Sequence, residues 1–154
     1  MTQAPSEDYK TLQVINADDI LIGIVIAQWN AHITEKLLHG AIEVLDYYNI
    51  QFVQIQVPGS FELPLAAQKL AQRNDINAVI CLGCVVQGDT KHFDYVCQAS
   101  AQGILEVGLK YNKPVIFGLL TTNDEQQALD RAGGVLGNKG IEAAITAIKM
   151  IAIL

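Results

Sequence analysis

The stretch Ala78-Val79-Ile80-Cys81-Leu82-Gly83-Cys84-Val85-Val86 carries no charge, and the polar segment Gln87-Gly88-Asp89-Thr90-Lys91-His92 follows it at once. Its apolar character is near-continuous rather than alternating, the pattern of a strand buried on both faces. Beyond the polar segment, Phe93, Val96, Cys97, Ser100, Ile104 and Val107 recur at helical spacing and form one stripe. Three more short apolar runs, over 21–28, 51–57 and 114–121, recur at intervals of about thirty residues, and each leads into a helical pattern. Strand and helix alternate, which implies a parallel sheet covered on both faces, with right-handed crossovers.

The helices carry their own signals. Ile33, Leu37, Ala41, Val44, Leu45 and Tyr48 form the stripe of the first, and Leu63, Ala66, Ala67, Leu70 and Ala71 that of a shorter second. Ser60 is a candidate cap for the second, with Pro64 tolerated in its first turn. Thr122-Asn123-Asp124-Glu125 has the capping-box pattern and opens a short helix to about Arg131, which Gly133 and Gly134 terminate. Asn138 caps a last helix whose stripe is Ile141, Ala144, Ile145, Ile148 and Ala152. A weak extra strand near 12–15 pairs with a neighbour or with the sheet edge. The expected organisation is a polar tail over 1–11 and a single domain over 12–154.

Composition bounds the function. A chain of 154 residues, 51% hydrophobic and 17% charged, is neither disordered nor collagenous. A domain of this length buries roughly 68–70% of its unfolded surface. The mean hydropathy of +0.26 exceeds what one small core absorbs and points to an obligate oligomer. A net charge of −6 opposes contact with phosphate backbones and anionic membranes, so neither nucleic acid nor membrane is an expected partner. The longest apolar runs fall well short of the ~20 residues of a membrane helix. The polar, acidic start resembles neither a secretory signal nor a transit peptide, and the expected location is cytoplasmic. Three cysteines lack a framework spacing. Cys81 and Cys84 read as C-x-x-C, but three positions apart on a strand they face opposite ways, as core hydrophobes rather than a redox pair.

In a parallel sheet, ligands bind beyond the carboxyl ends of the strands. That nominates 28–30, 58–62, 87–92 and 121–123. Gly88, Asp89 and Thr90 precede a helix whose free N–H groups suit an anion such as phosphate, or are simply a turn and cap. His92, in the first turn of that helix, is either a proton-transfer group or a solvated helix-start histidine. Trp29 offers a flat surface for stacking a ring, or packs. Glu62, beside Phe61, can accept hydrogen bonds from ring N–H groups or sugar hydroxyls, or is a charge well placed at a helix start. Arg131 and Lys139 are the cations of a Gly-rich stretch, either exposed surface charges or phosphate contacts. His32 and His39 lie on the polar face of the first helix and are given no role.

Four ordered segments, Val57-Pro58-Gly59-Ser60-Phe61-Glu62-Leu63-Pro64, Gly88-Asp89-Thr90-Lys91-His92-Phe93-Asp94-Tyr95-Val96, Phe117-Gly118-Leu119-Leu120-Thr121-Thr122, and the Gly-rich stretch over 131–140, closely resemble the lumazine synthase family. The likeness spans about 21–150. It implies a transferase of riboflavin biosynthesis that condenses 5-amino-6-(D-ribitylamino)uracil with 3,4-dihydroxy-2-butanone 4-phosphate to 6,7-dimethyl-8-ribityllumazine, phosphate and water. It further implies that Trp29 replaces the family's usual stacking Phe, that Ser60, Phe61 and Glu62 hold the ribityl chain and pyrimidine, and that Cys84, Val85 and Val86 line the ring site. Asp89 and Thr90 would contact the butanone phosphate and His92 would transfer protons. Phe117, Arg131 and Lys139 would come from the adjacent subunit, with Arg131 on the phosphate. Phe117 sits mid-strand, too deep to reach the carboxyl edge of its own sheet, so a pocket holding it and His92 crosses a subunit boundary.

The chain departs from the family pattern at Gln28, often Arg, and at Cys84, often a hydroxyl or aliphatic residue. The implied reaction needs orientation and a proton shuttle rather than a metal or redox cofactor. The expected architecture is a flavodoxin-like three-layer α/β sandwich with a four-stranded parallel sheet flanked by helices. The resemblance implies a homo-oligomer of pentamers and permits a 60-subunit icosahedral shell, because the turn over 133–140 is short; riboflavin synthase is a further candidate partner. Two rivals are a flavodoxin-type flavin carrier and a riboflavin-storing shell. The carrier is disfavoured because Gln28-Trp29-Asn30-Ala31-His32 stands where such a protein has a hydroxyl- and Gly-rich phosphate loop.

Overall fold

The computed structural model describes residues 8–14 and 16–154. Four strands, β1 (Leu21–Ala27), β2 (Gln51–Val57), β3 (Ala78–Val86) and β4 (Val115–Thr122), form one parallel sheet in the order β2-β1-β3-β4. Helix α1 (Ala31–Tyr47) follows β1, α2 (Leu63–Ala71) follows β2, and α3 (His92–Tyr111) follows β3. After β4 come α4 (Glu125–Asp130), a two-stranded antiparallel ladder of β5 (Ala132–Gly134) and β6 (Gly137–Asn138), and α5 (Lys139–Ile153).

The sheet divides two cores. Ile22, Ile24, Ile80, Leu82 and Cys84 face α1 and α5, while Val25, Val79 and Cys81 face α2 and α3. This is the three-layer α/β fold that the near-continuous apolar runs imply, since a strand with helices on both faces has no solvent-facing side to keep polar. Cys81 and Cys84 lie in different layers, and burial pushes the Cys81 thiol up to about 12.

Several local expectations are corrected. The cap of α4 is Asp124, whose carboxylate accepts from the Gln127 N–H at 2.8 Å, whereas Thr122 is still paired to Val86 as the last residue of β4. Ser60 does not cap α2: it belongs to a one-turn 3-10 helix (Ser60–Glu62), and its carbonyl accepts from Ser100 Oγ at 3.0 Å. Pro64 does stand in the first turn of α2. Gly133 and Gly134 form β5 rather than a helix stop, with positive φ at Gly133 and Gly137 on either side of the two-residue connection. Leu12 and Val14 form no strand within this chain; they pack against the α1 core, and the Leu12 carbonyl accepts from Tyr48 OH at 3.0 Å. Residue 15, also assigned to that strand, lies outside the described residues. At the far end of α5, Ala152 is exposed, while Ala143 and Ala147 are buried beside the expected stripe. Among the described residues, no helix is long and apolar enough to cross a membrane.

Candidate active site

Strand β1 lies between β2 and β3, so the chain leaves its carboxyl end in one direction and returns on the other side. This switch point opens a crevice in α/β sheets. A cleft of about 760 Å³ occupies it, lined from the ends of β1, β2 and β3 and the first turns of α3.

Backbone bonds fix the cleft wall. After β1, the Gln28 N–H donates to the Val57 carbonyl and the Trp29 N–H to the Pro58 carbonyl, at 2.8 and 3.0 Å, so the two strand ends remain joined. Asn30 turns the chain with a left-handed φ of 60°. Its Nδ2 donates to the Cys84 carbonyl at 2.9 Å and its own carbonyl accepts the Ile33 and Thr34 N–H groups, which ties the ends of β1 and β3 to the start of α1. Trp29 is left 73% exposed, with its ring in the cleft lining.

Opposite, Glu62 folds back so that Oε2 accepts from the Gly59 N–H at 3.0 Å, which orients the loop carrying Ser60 and Phe61. Ser60 is buried against β3 at Gly83, where a Cβ would lie 2.6 Å from Ser60 Oγ. Phe61 stands 60% exposed. At the entry to α3, Thr90 Oγ1 accepts from the His92 N–H at 3.3 Å, and the His92 side chain is exposed towards the cleft. Cys84 forms part of the floor; burial, and then the charge of Glu125, push its thiol up to about 11, which keeps it a neutral apolar surface. Glu125 also pairs with His32 Nε2, joining the starts of α1 and α4.

The cleft thus brings together Trp29, Ser60, Phe61, Glu62, Cys84, Val85, Val86, Thr90 and His92. Asp89 is exposed on the loop and lies outside the lining. Phe117 is paired with Cys81, three positions before the Cys84–Leu120 pair, hence about 10 Å back along the strand. Arg131 and Lys139 lie beside the β5–β6 ladder, also outside the lining. The Arg131 guanidinium donates to the Gln127 carbonyl at 2.9 Å, and Lys139 Nζ pairs with Glu142 at 2.6 Å.

Sequence reasoning missed part of the wall. Phe93 and Val96, read as core, line the cleft together with Tyr95, whose ring is 68% exposed. The buried stripe of α3 begins only at Ser100. The available signal was the spacing of Tyr95 and Val96 three and four positions after His92, which places all three on one helical face.

Residues 19–154 match the family model described as 6,7-dimethyl-8-ribityllumazine synthase. The chain belongs to this family. Among its relatives, a protein of that name from Cytophaga hutchinsonii is 56% identical over 143 residues, covering 91% of this chain and 90% of the relative. One from Parabacteroides distasonis is 54% identical over 147 residues, covering 94% and 92%. One from Thermus thermophilus is 44% identical over 149 residues, covering 94% and 95%. The lumazine synthase match runs from just before β1 to the end of α5, so it includes every strand of the sheet and every cleft segment.

Proposed function

We propose that this chain condenses 5-amino-6-(D-ribitylamino)uracil with 3,4-dihydroxy-2-butanone 4-phosphate, giving 6,7-dimethyl-8-ribityllumazine, phosphate and water. Family membership across residues 19–154 carries the reading.

In this assignment the pyrimidine stacks on Trp29 over the Cys84, Val85 and Val86 floor, and Ser60, Phe61 and Glu62 hold its polar edge and ribityl chain. A flat, open aromatic surface above an apolar floor suits a heterocycle. The butanone phosphate lies near Thr90 and Asp89 at the start of α3, where N–H groups with no helical acceptor favour an anion. His92, in the same turn, transfers protons as the amine adds to the ketone, water leaves, phosphate is eliminated and the ring closes with loss of a second water. Holding both reactants in one cleft replaces a bimolecular encounter by a positioned one. A cation on the leaving phosphate stabilises charge as it develops.

Arg131, Lys139 and Phe117 lie outside the cleft of their own chain, and the reading has them complete a neighbour's cleft. Support comes from what this subunit leaves uncovered: Phe117 is 41% exposed on edge strand β4, and Leu65, Leu105 and Leu109 are exposed on α2 and α3. Among the described residues, no strand pairs with the outer edge of β2 either. Open edges and large apolar side chains are what identical copies would cover. The proposed assembly is a pentamer or a multiple of it, up to a 60-subunit shell, acting in the cytoplasm.

Mixing the two substrates with the protein and following lumazine fluorescence tests the reaction. Product at rates well above the uncatalysed mixture is expected, and its absence at saturating substrates overturns the assignment. Light scattering tests the assembly, for which a monomer is the refuting mass.

A further inference from the structure

The geometry points to Asn138 as the positioning residue that sets Arg131 and Lys139 side by side, an inference resting on the proposed phosphate role of those cations. Three strands of connectivity meet at this one amide. Its Oδ1 accepts from the Gly140 N–H at 2.8 Å and the Ile141 N–H at 3.4 Å, capping α5. Its Nδ2 donates to the Lys36 carbonyl of α1 at 3.0 Å, across 102 positions of sequence. Its backbone pairs with Ala132 in the β5–β6 ladder. The next residue continues the ladder, since the Lys139 N–H donates to the Arg131 carbonyl at 2.8 Å. The backbones of the two cationic residues are therefore joined immediately beside Asn138 and its ladder partner.

The seat is tight. A Cβ on Gly40 of α1 would lie 2.5 Å from Asn138 Oδ1, and one on Gly140 would lie 1.8 Å from the Leu37 carbonyl. Helix α1 thus presses directly on the amide and on the first turn of α5, and the cation pair takes its place from the body of the fold rather than from a mobile turn. Among the described residues Arg131 has no carboxylate within 4.0 Å, so its charge is available to an anion, while Lys139 is shared with Glu142.

Two variants test this role, and the first of them separates it from simple helix capping. Asn138→Ser keeps a capping oxygen for α5 and loses the donor to Lys36. Gly40→Ala disturbs the same amide from the opposite side and lies outside the proposed binding machinery. Both should raise KM for the butanone phosphate, and weaken inhibition by inorganic phosphate, by about tenfold, the worth of one displaced charge-assisted hydrogen bond. KM for the ribitylaminouracil should stay within about twofold, because the pyrimidine side of the site is untouched. Arg131→Ala serves as the reference. If it raises the phosphate KM and Asn138→Ser and Gly40→Ala do not, or if they change both KM values equally, the positioning role is overturned and the assignment of Arg131 stands. If Arg131→Ala leaves phosphate affinity unchanged, the assignment of Arg131 fails and this inference falls with it. Should Asn138→Ser not assemble, the Gly40→Ala pattern decides.

Discussion

Strand β3 passes from one kind of environment to another within nine residues. Residues 78–84 are buried, whereas Val85 and Val86 are only half-buried and face the cleft. Before that boundary, side chains such as Ile80 and Leu82 are fully enclosed between helices. Beyond it, Trp29, Phe61 and Tyr95 leave most of their rings open. Large exposed rings gathered in one patch mark a site for a ligand or a partner. The bodies of the strands hold the fold, and the proposed chemistry lies at their carboxyl ends.

That separation can be broken experimentally. His92→Ala should lower kcat by roughly 10²–10⁴-fold, the usual contribution of a positioned proton-transfer group, with no change in Tm. The side chain is exposed, and the bond that Thr90 Oγ1 accepts comes from the His92 backbone N–H, which the variant keeps. Rates near wild type would remove His92 from the reaction, and a large fall in Tm would show that cleft and core are coupled. Ile80→Ala should do the opposite, destabilising the fold by about 2–5 kcal/mol as it leaves a cavity at a site with no exposure, with kcat per folded subunit retained. Denaturant unfolding and single-turnover rates on the same samples measure both.

The smallest effect sharpens the contrast between the two buried thiols and the open cleft. Burial raises Cys81 to about 12 and Cys84 to about 11, so at mildly alkaline pH the folded chain keeps protons that the unfolded chain releases. The stability they contribute is fully present below the unfolded thiol pKa and is lost as pH rises above it towards the folded values. Unfolding free energy should therefore decline from about pH 9, by up to about 1.4 kcal/mol per pH unit for each thiol. Cys81→Ala should flatten the slope by one thiol's share, and an unchanged slope counts against the burial account.

The sheet was legible because β1 and β3 are wholly apolar and β4 nearly so, while β2 keeps four apolar residues among three glutamines: β2 and β3 have the bounds expected, and β1 and β4 differ by a single residue at their ends. Pro114 illustrates the reason for such slips. It lacks an N–H to donate, yet its carbonyl accepts from Val79 at 2.8 Å, so it touches the ladder without belonging to it. The α4 cap was misread because Thr122 and Asp124 both fit the chemistry, and pairing with β3 claims Thr122 first. Phe93 and Val96 carry the spacing of a core stripe, and only the opening between the strand ends turns them towards the cleft. The individual candidate residues had ordinary alternative readings; the order and spacing of four motifs singled out the family.

The sequence by itself determined the alternation of strand and helix, the two-sided burial of the sheet and the family, because these follow from apolar periodicity and from contiguous motifs. Only the tertiary structure decided that the ends of β1, β2 and β3 meet around one cleft, and that Asn138 reaches across 102 positions to α1. Such contacts join segments far apart in the chain, and no local pattern encodes which distant carbonyl a side-chain amide will meet.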